Sequence, residues 1–283
     1  MSKRVNEIAK ELELAAWSSR RRKRAWEKAN SSNNVSLPPN FETEEVCFER
    51  QLTLVDRLMK DPVTFLPVIK EVLACMCLPH PCRRPYCSAC GRQFRVWLCG
   101  ELSGLVKKGR ASSHVVTIIL RRIPVMALRF ENLTAIKASL RTNCIRLGLK
   151  DLPVCGGIEV AYDCRENNFI LHAHLLVIGG TTNEWAKLRP LFSKKCGPRS
   201  VKVQPVRDIS RQVSYLLKFN TYHRPGSQYG SHRAKAVPLP IGPLQQLEQW
   251  WSKFELHEFL FLHRFRIVGG HIKPSAPLPL RPT

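Results

Sequence analysis

The sequence contains no apolar run approaching the ~18 residues that a membrane-spanning helix needs. It is also poor in acids. Only 22 Asp and Glu stand against 45 Lys and Arg, a formal net charge of +23. That imbalance points to a polyanionic partner, nucleic acid first, but says nothing of sequence specificity or catalysis. Two further features are missing: an internal repeat, and an even number of cysteines. The eleven cysteines accompany an N-terminal stretch, Met1 to Lys10, that is mixed polar and unlike a secretory leader. A disulfide framework is therefore not expected, and the reading is a soluble cytoplasmic protein with no membrane partner. What is present is ample apolar material. Of 283 residues, 44% are hydrophobic, enough to pack one large domain or two small ones.

Residues 5–17 read as a short amphipathic helix, followed by the basic run Arg20, Arg21, Arg22, Lys23 and Arg24. That run is either a phosphate-contacting arm or simply solvated charge. Residues 31–42 look like a linker. Helical spacing is expected over 44–59 and 63–74, and a basic helix over 92–109. From His114 the pattern changes. Residues 114–120, 156–163, 169–179 and 200–206 read as strands, with a turn at 165–168. Helices are expected at 131–147, at 183–195 with Pro190 as a kink, and at 208–220 with Asp208 as its cap. The order β-α-β-β-α-β-α predicts an α+β fold. Specifically, it predicts a split βαβ (RRM/ferredoxin-like) antiparallel sheet with helices on one face, preceded by a helical and zinc-binding N-terminal region. Residues 224–243 read as a loop. Residues 244–265 read as a helix whose Trp250, Trp251, Phe254, Leu256 and Phe259 serve core packing or docking. Residues 273–283 read as a disordered tail. The implied divisions are 1–70 (basic helical region and linker), 71–110 (cysteine cluster and basic helix), 111–223 (catalytic domain), 224–270 (loop and helix) and 271–283 (tail).

Five of the cysteines, Cys75, Cys77, Cys82, Cys87 and Cys90, crowd into one short stretch. Cys82, Cys87 and Cys90, joined by Cys77 or by Cys75, can supply four thiolates for tetrahedral Zn²⁺; His80 is a substitute. Arg83 and Arg84, with Arg92 and Arg95, could set this element against DNA. A second constellation lies in the strands. His172 and His174 are two apart, so a strand projects both imidazoles from one face. Their apolar flanks make burial costly unless the two share a purpose. The hairpin formed by 156–163 and 169–179 can bring Glu159 beside them, with Asp163 as rival. Two imidazoles and one carboxylate suit a divalent ion that also holds a phosphate. Tyr215 and Lys218 would share a helix face, a tyrosine able to attack phosphorus beside a cation.

In order, the segments are Cys82-RRPY-Cys87-SA-Cys90, GGIEVAYD, LHAHLLVIGG and SYLLKF. Together they resemble the HUH endonuclease superfamily, most closely the rolling-circle replication initiators of small bacterial plasmids. The likeness spans residues 75–220. It implies site-specific nicking and joining of single-stranded DNA at an origin-like site. His172, His174 and Glu159 would bind Mg²⁺ or Mn²⁺, Tyr215 would form a covalent 5′-phosphotyrosine, and Lys218 would assist. The freed 3′-hydroxyl would serve host replication proteins. Many such relatives carry a third histidine where this chain has Leu176. Some carry a second nucleophile or a glutamate one turn before the tyrosine, where this chain has Arg211 and Gln212; Tyr222 is off that spacing. A transposase or a relaxase shares the same chemistry. From another class, a non-catalytic zinc-containing nucleic-acid-binding protein remains. Against it, no aromatic pair marks the sheet as a base-stacking platform.

Overall fold

The computed structural model describes residues 37–39, 41–77, 81–108, 112–197, 200–223, 236–276 and 278, with backbone alone at 62, 63, 77, 108, 194 and 195. The expected helix at 5–17, the Arg20–Arg24 run, His80 and most of the 224–243 loop lie outside the described residues.

Three helices lead: α1 (Glu44–Leu58), α2 (Pro62–Cys77) and α3 (Ser88–Lys108). The Thr43 hydroxyl caps α1 by accepting from the Val46 amide, and Glu44 and Glu45 sit in its first turn, where the helix dipole favours acids. Leu54, Val55, Leu58, Ile69, Val72, Leu98 and Leu102 are buried where these helices meet.

The sheet follows. Strand β1 (Ser113–Pro124) runs through a bulge between Ile119 and Arg121 into a 3₁₀ helix, Val125–Phe130. After α4 (Leu133–Arg146) come β2 (Val154–Asp163) and β3 (Asn168–Ile178), joined by a tight turn in which Asn167 takes φ 50°. Asparagine tolerates that left-handed conformation. Two short helices, α5 (Thr182–Ala186) and α6 (Arg189–Cys196), precede β4 (Val201–Pro205) and the five-residue α7 (Ile209–Val213). A two-residue ladder pairs β5 (Tyr222–His223) with β6 (Val237–Pro238). The chain closes with α8 (Ile241–Trp251), a 3₁₀ turn Leu256–Phe259, and strands β7 (Leu260–His263), β8 (Phe265–Val268) and β9 (His271–Pro274).

The main sheet is antiparallel with order β4-β1-β3-β2-β7. The protein is thus α+β, as the element pattern implied. Alternation sorts its two faces. Val116, Ile118, Ile158, Val160, Phe169, Leu171 and Ala173 point into the core. The other face carries, row by row across β1, β3 and β2, Arg122–Ile170–Ala161, Ile119–His172–Glu159 and Thr117–His174–Gly157.

Four expectations need correction. The helix expected over 208–220 ends at Val213. The Tyr215 and Leu216 amides turn back to the Gln212 and Val213 carbonyls, and the chain then leaves helical geometry. Leu216 and Leu217 are both fully buried. The helix expected over 244–265 stops at Trp251, and the aromatic run beyond it forms a 3₁₀ turn and two strands; its side chains are core all the same. The single helix expected over 183–195 is two, with Pro190 at the start of the second rather than at a kink. Residues 271–274, expected at the start of a tail, form β9.

Candidate functional site

Glu159, His172 and His174 meet on the sheet face as the strand register requires. Glu159 lies directly opposite His172 across the β2–β3 pairing. Its Oε2 is 3.3 Å from His172 Nε2 and 3.5 Å from His174 Nε2. The two imidazoles stand edge to face with centroids 4.6 Å apart. One ligand atom from each of the three residues falls within 4.8 Å of the others, so the set could hold a metal ion. The remaining ring nitrogens are held from behind. His174 Nδ1 is 2.9 Å from the Thr117 hydroxyl, and His172 Nδ1 is 3.3 Å from the Ile170 carbonyl. With a metal bound, such outer contacts would orient each imidazole so that Nε2 presents its lone pair to the ion. Glu159 Oε1 is buried without a hydrogen-bond partner. A buried carboxylate oxygen in that state is costly unless a cation completes it. The donor set therefore fits a divalent ion.

Burial opposes ionisation of Glu159. The hydrogen bond with His172 and the charges of His174, His172 and Lys218 overcome it, and the carboxyl sits below its ordinary value. Burial pushes His174 down to about 4; Glu159 opposes this, while His172 and Lys218 reinforce it. His174 is thus neutral at neutral pH, the form that binds metal.

Residues 214–219 cross this face. A Cβ on Gly157 would lie 2.3 Å from Leu217 Cδ1 and 2.7 Å from the Leu216 carbonyl oxygen. Only glycine lets the segment come so close. Gly157 is the cross-strand partner of His174, so the segment is laid beside the imidazoles. Tyr215 is 51% exposed. The Lys218 ammonium lies 3.3 Å from the centre of the Tyr215 ring, and its charge reaches Glu159 and His174. Tyrosine and lysine therefore accompany the imidazoles, delivered by a turn and not by a helix. Asp163, the rival ligand, is elsewhere: it pairs with Arg122 at 3.4 Å, at the hairpin end of the strand. Leu176 takes the third-histidine position on the same face and is fully buried.

The second cluster is made of Cys75, Cys82, Cys87 and Cys90. Their sulfurs stand 3.4 Å (Cys75–Cys90), 3.6 Å (Cys75–Cys87) and 3.7 Å (Cys82–Cys90) apart. A tetrahedral zinc with bonds of about 2.3 Å sets an edge of about 3.8 Å, so these spacings suit zinc and are far too long for disulfides. Cys75 completes the set; the side chain of Cys77 lies outside the described residues. Thiols of Cys82, Cys87 and Cys90 directed at its sulfur hold Cys75 well below the usual thiol range, and the hydrogen bonds shared with Cys75 push Cys82 and Cys87 up. A divalent cation is what lets such a group ionise together. Gln51 on α1 donates to Cys87 Sγ at 3.0 Å, an outer contact with no sequence signature. Arg83 is exposed with φ 57°, whereas Arg84 is engaged by Glu71 at 3.3 Å and by the Ser252 carbonyl.

The two clusters are linked. Gly91, directly after Cys90, is 3.6 Å in Cβ terms from the Phe219 ring, and an Arg95 amino group donates to the Ser214 carbonyl at 3.4 Å. The cysteine region thus props the segment that carries Tyr215. Thr117, Gly157 and Arg95 were not singled out for this site from sequence. The alternation of β1 placed Thr117 on the histidine face, and that was the only signal for it. Among the described residues, no helix is long and apolar enough to cross a membrane. The chain matches no protein-family model, no curated protein and no solved structure.

Proposed function

We propose that the protein is a metal-dependent endonuclease and strand transferase of single-stranded DNA, working through a covalent 5′-phosphotyrosine on a split βαβ sheet. The observation that carries the reading is the convergence of Glu159, His172 and His174 beside the segment bearing Tyr215 and Lys218. The role that fits best is initiation of rolling-circle replication at an origin-like site.

Two imidazole nitrogens and one carboxylate oxygen would hold Mg²⁺ or Mn²⁺, which when bound supplies Lewis-acid polarisation of the scissile phosphate. A neutral phenol is a weak nucleophile, so the Tyr215 oxygen must give up its proton during attack. The Lys218 ammonium beside the Tyr215 ring would set positive charge next to the reacting phosphate. The Tyr215 oxygen attacks phosphorus, the bond to the 3′ oxygen breaks, and that oxygen leaves as a hydroxyl after gaining a proton. The 5′ phosphate remains esterified to Tyr215, conserving the bond energy so that a 3′-hydroxyl can reverse the step without ATP. Host replication proteins would extend the freed 3′ end.

The test is incubation of the protein with a 3′-labelled pool of single-stranded oligonucleotides of random sequence and Mn²⁺. Label that stays with the protein in denaturing gels, and disappears with EDTA, supports the reading. Absence of any such adduct across the pool overturns it.

A further inference from the structure

The face that bears the imidazoles continues, one row along, to Arg122 beside Ile170. β1 then ends at Pro124, opposite Asn168, about 13 Å along the strand from His172 at ~3.3 Å per residue. The 3₁₀ helix Val125–Phe130 begins there. With three residues per turn, Val125 and Leu128 eclipse each other and are buried. The outer sides present Met126, 61% exposed, and Phe130, 74% exposed, the two most exposed large apolar side chains of the described residues. The Arg129 guanidinium lies 4.7 Å over the Phe130 ring. The Arg129 carbonyl accepts from Lys253 at 2.6 Å, and the Glu131 carbonyl accepts from Trp250 Nε1 at 2.9 Å, so the platform is fixed to α8 and its flank. Arg121 and Arg122 flank it, on half-exposed ion pairs with Glu131 at 2.8 Å and Asp163 at 3.4 Å. The arginine side of each pair is open to solvent, where an ion pair is worth little.

We infer that this 3₁₀ helix is a stacking platform for single-stranded DNA, taking a base on Phe130 and backbone phosphates on Arg122 and Arg129. An isolated aromatic ring interleaved with arginines matches the alternation of base and phosphate along a single strand. A protein-docking surface would instead need a contiguous apolar patch of several hundred Å². The inference rests on the endonuclease reading for its choice of nucleic acid.

The test uses full-length protein carrying Tyr215→Phe, which removes the attacking oxygen, and the fluorescence anisotropy of a labelled oligothymidylate across a salt series. Phe130→Ala should weaken binding roughly 5- to 150-fold with an unchanged salt slope, and Phe130→Trp should restore it. Arg129→Gln should lower the salt slope by about one. Binding by Phe130→Ala within about twofold of the parent at every salt, or loss that Phe130→Trp fails to restore, overturns the platform; the patch then serves another class of partner. Adduct formation by the tyrosine-bearing protein is scored separately. Adduct without a Phe130 effect removes the platform alone, and a Phe130 effect without adduct removes the endonuclease reading alone.

Discussion

A carboxylate taken out of water normally regains its proton or finds a cation. Glu159 stays ionised because His172 and His174 face it, and its second oxygen still lacks a partner. His174 bears the consequence. Unfolded, it titrates near 6.5; folded, burial holds it to about 4. Between those values the unfolded chain binds the extra proton, so stability falls as the pH drops. The loss should be about 2 kcal/mol between pH 6.5 and 5. Glu159 does not offset it there: a depressed carboxyl contributes above its unfolded value of 4.5 and loses that contribution only on further acidification. Urea unfolding in EDTA at the two pH values should show this loss in the parent and a flatter dependence in His174→Ala; equal losses in both would remove His174 as the cause. A second expectation concerns the pair. His172→Ala with His174→Ala should abolish cleavage while single-strand affinity changes little, because binding rests on basic surface. EDTA-resistant cleavage by that double variant would contradict the metal assignment.

At the scale of elements, the central strands were legible as apolar, β-branched runs bounded by turns. Phe169 to Ile178 is one apolar run broken only by His172 and His174, and the short turn before it fixed the hairpin, hence Glu159. The segment after β4 was misread. Val213, Leu216 and Leu217 fall at spacings that also suit a helix, and only the tertiary contact with Gly157 shows why the chain unwinds. The strands after Trp251 were hidden for a similar reason, since a dense run of aromatics fits a buried helix as well as strands. Cys75 could not be separated from Cys77 by spacing alone. The close approach at Gly157 yields a direct test. Gly157→Ala forces the 214–219 segment away, at a cost of about 1–3 kcal/mol in unfolding free energy. Adduct yield should fall at least about tenfold, since a small misplacement of a reacting group is amplified in rate. A variant with parental stability and yield would show that the segment does not depend on this contact.

Across the whole molecule, the cysteine region acts at a distance from the chemistry. Gly91 meets Phe219, and Arg95 holds the Ser214 carbonyl, so loss of the cluster should loosen the turn before Tyr215. Protein kept reduced should carry about one Zn²⁺ per chain by elemental analysis. Cys87→Ser with Cys90→Ser should lose it, along with solubility and cleavage; a metal-free parent of full activity would dismiss the role. The excess of positive charge, +23, fits a protein that gathers a polyanion over its surface and reacts with it at one point. In the proposed mechanism that point is Tyr215. The most direct measurement is peptide mapping by mass spectrometry of protein trapped on single-stranded DNA with Mn²⁺, run beside Tyr215→Phe and Tyr222→Phe. The account predicts a nucleotide on the peptide containing Tyr215, none in Tyr215→Phe, and retained adduct in Tyr222→Phe. A modified Tyr222 peptide, or adduct persisting in Tyr215→Phe, would contradict it.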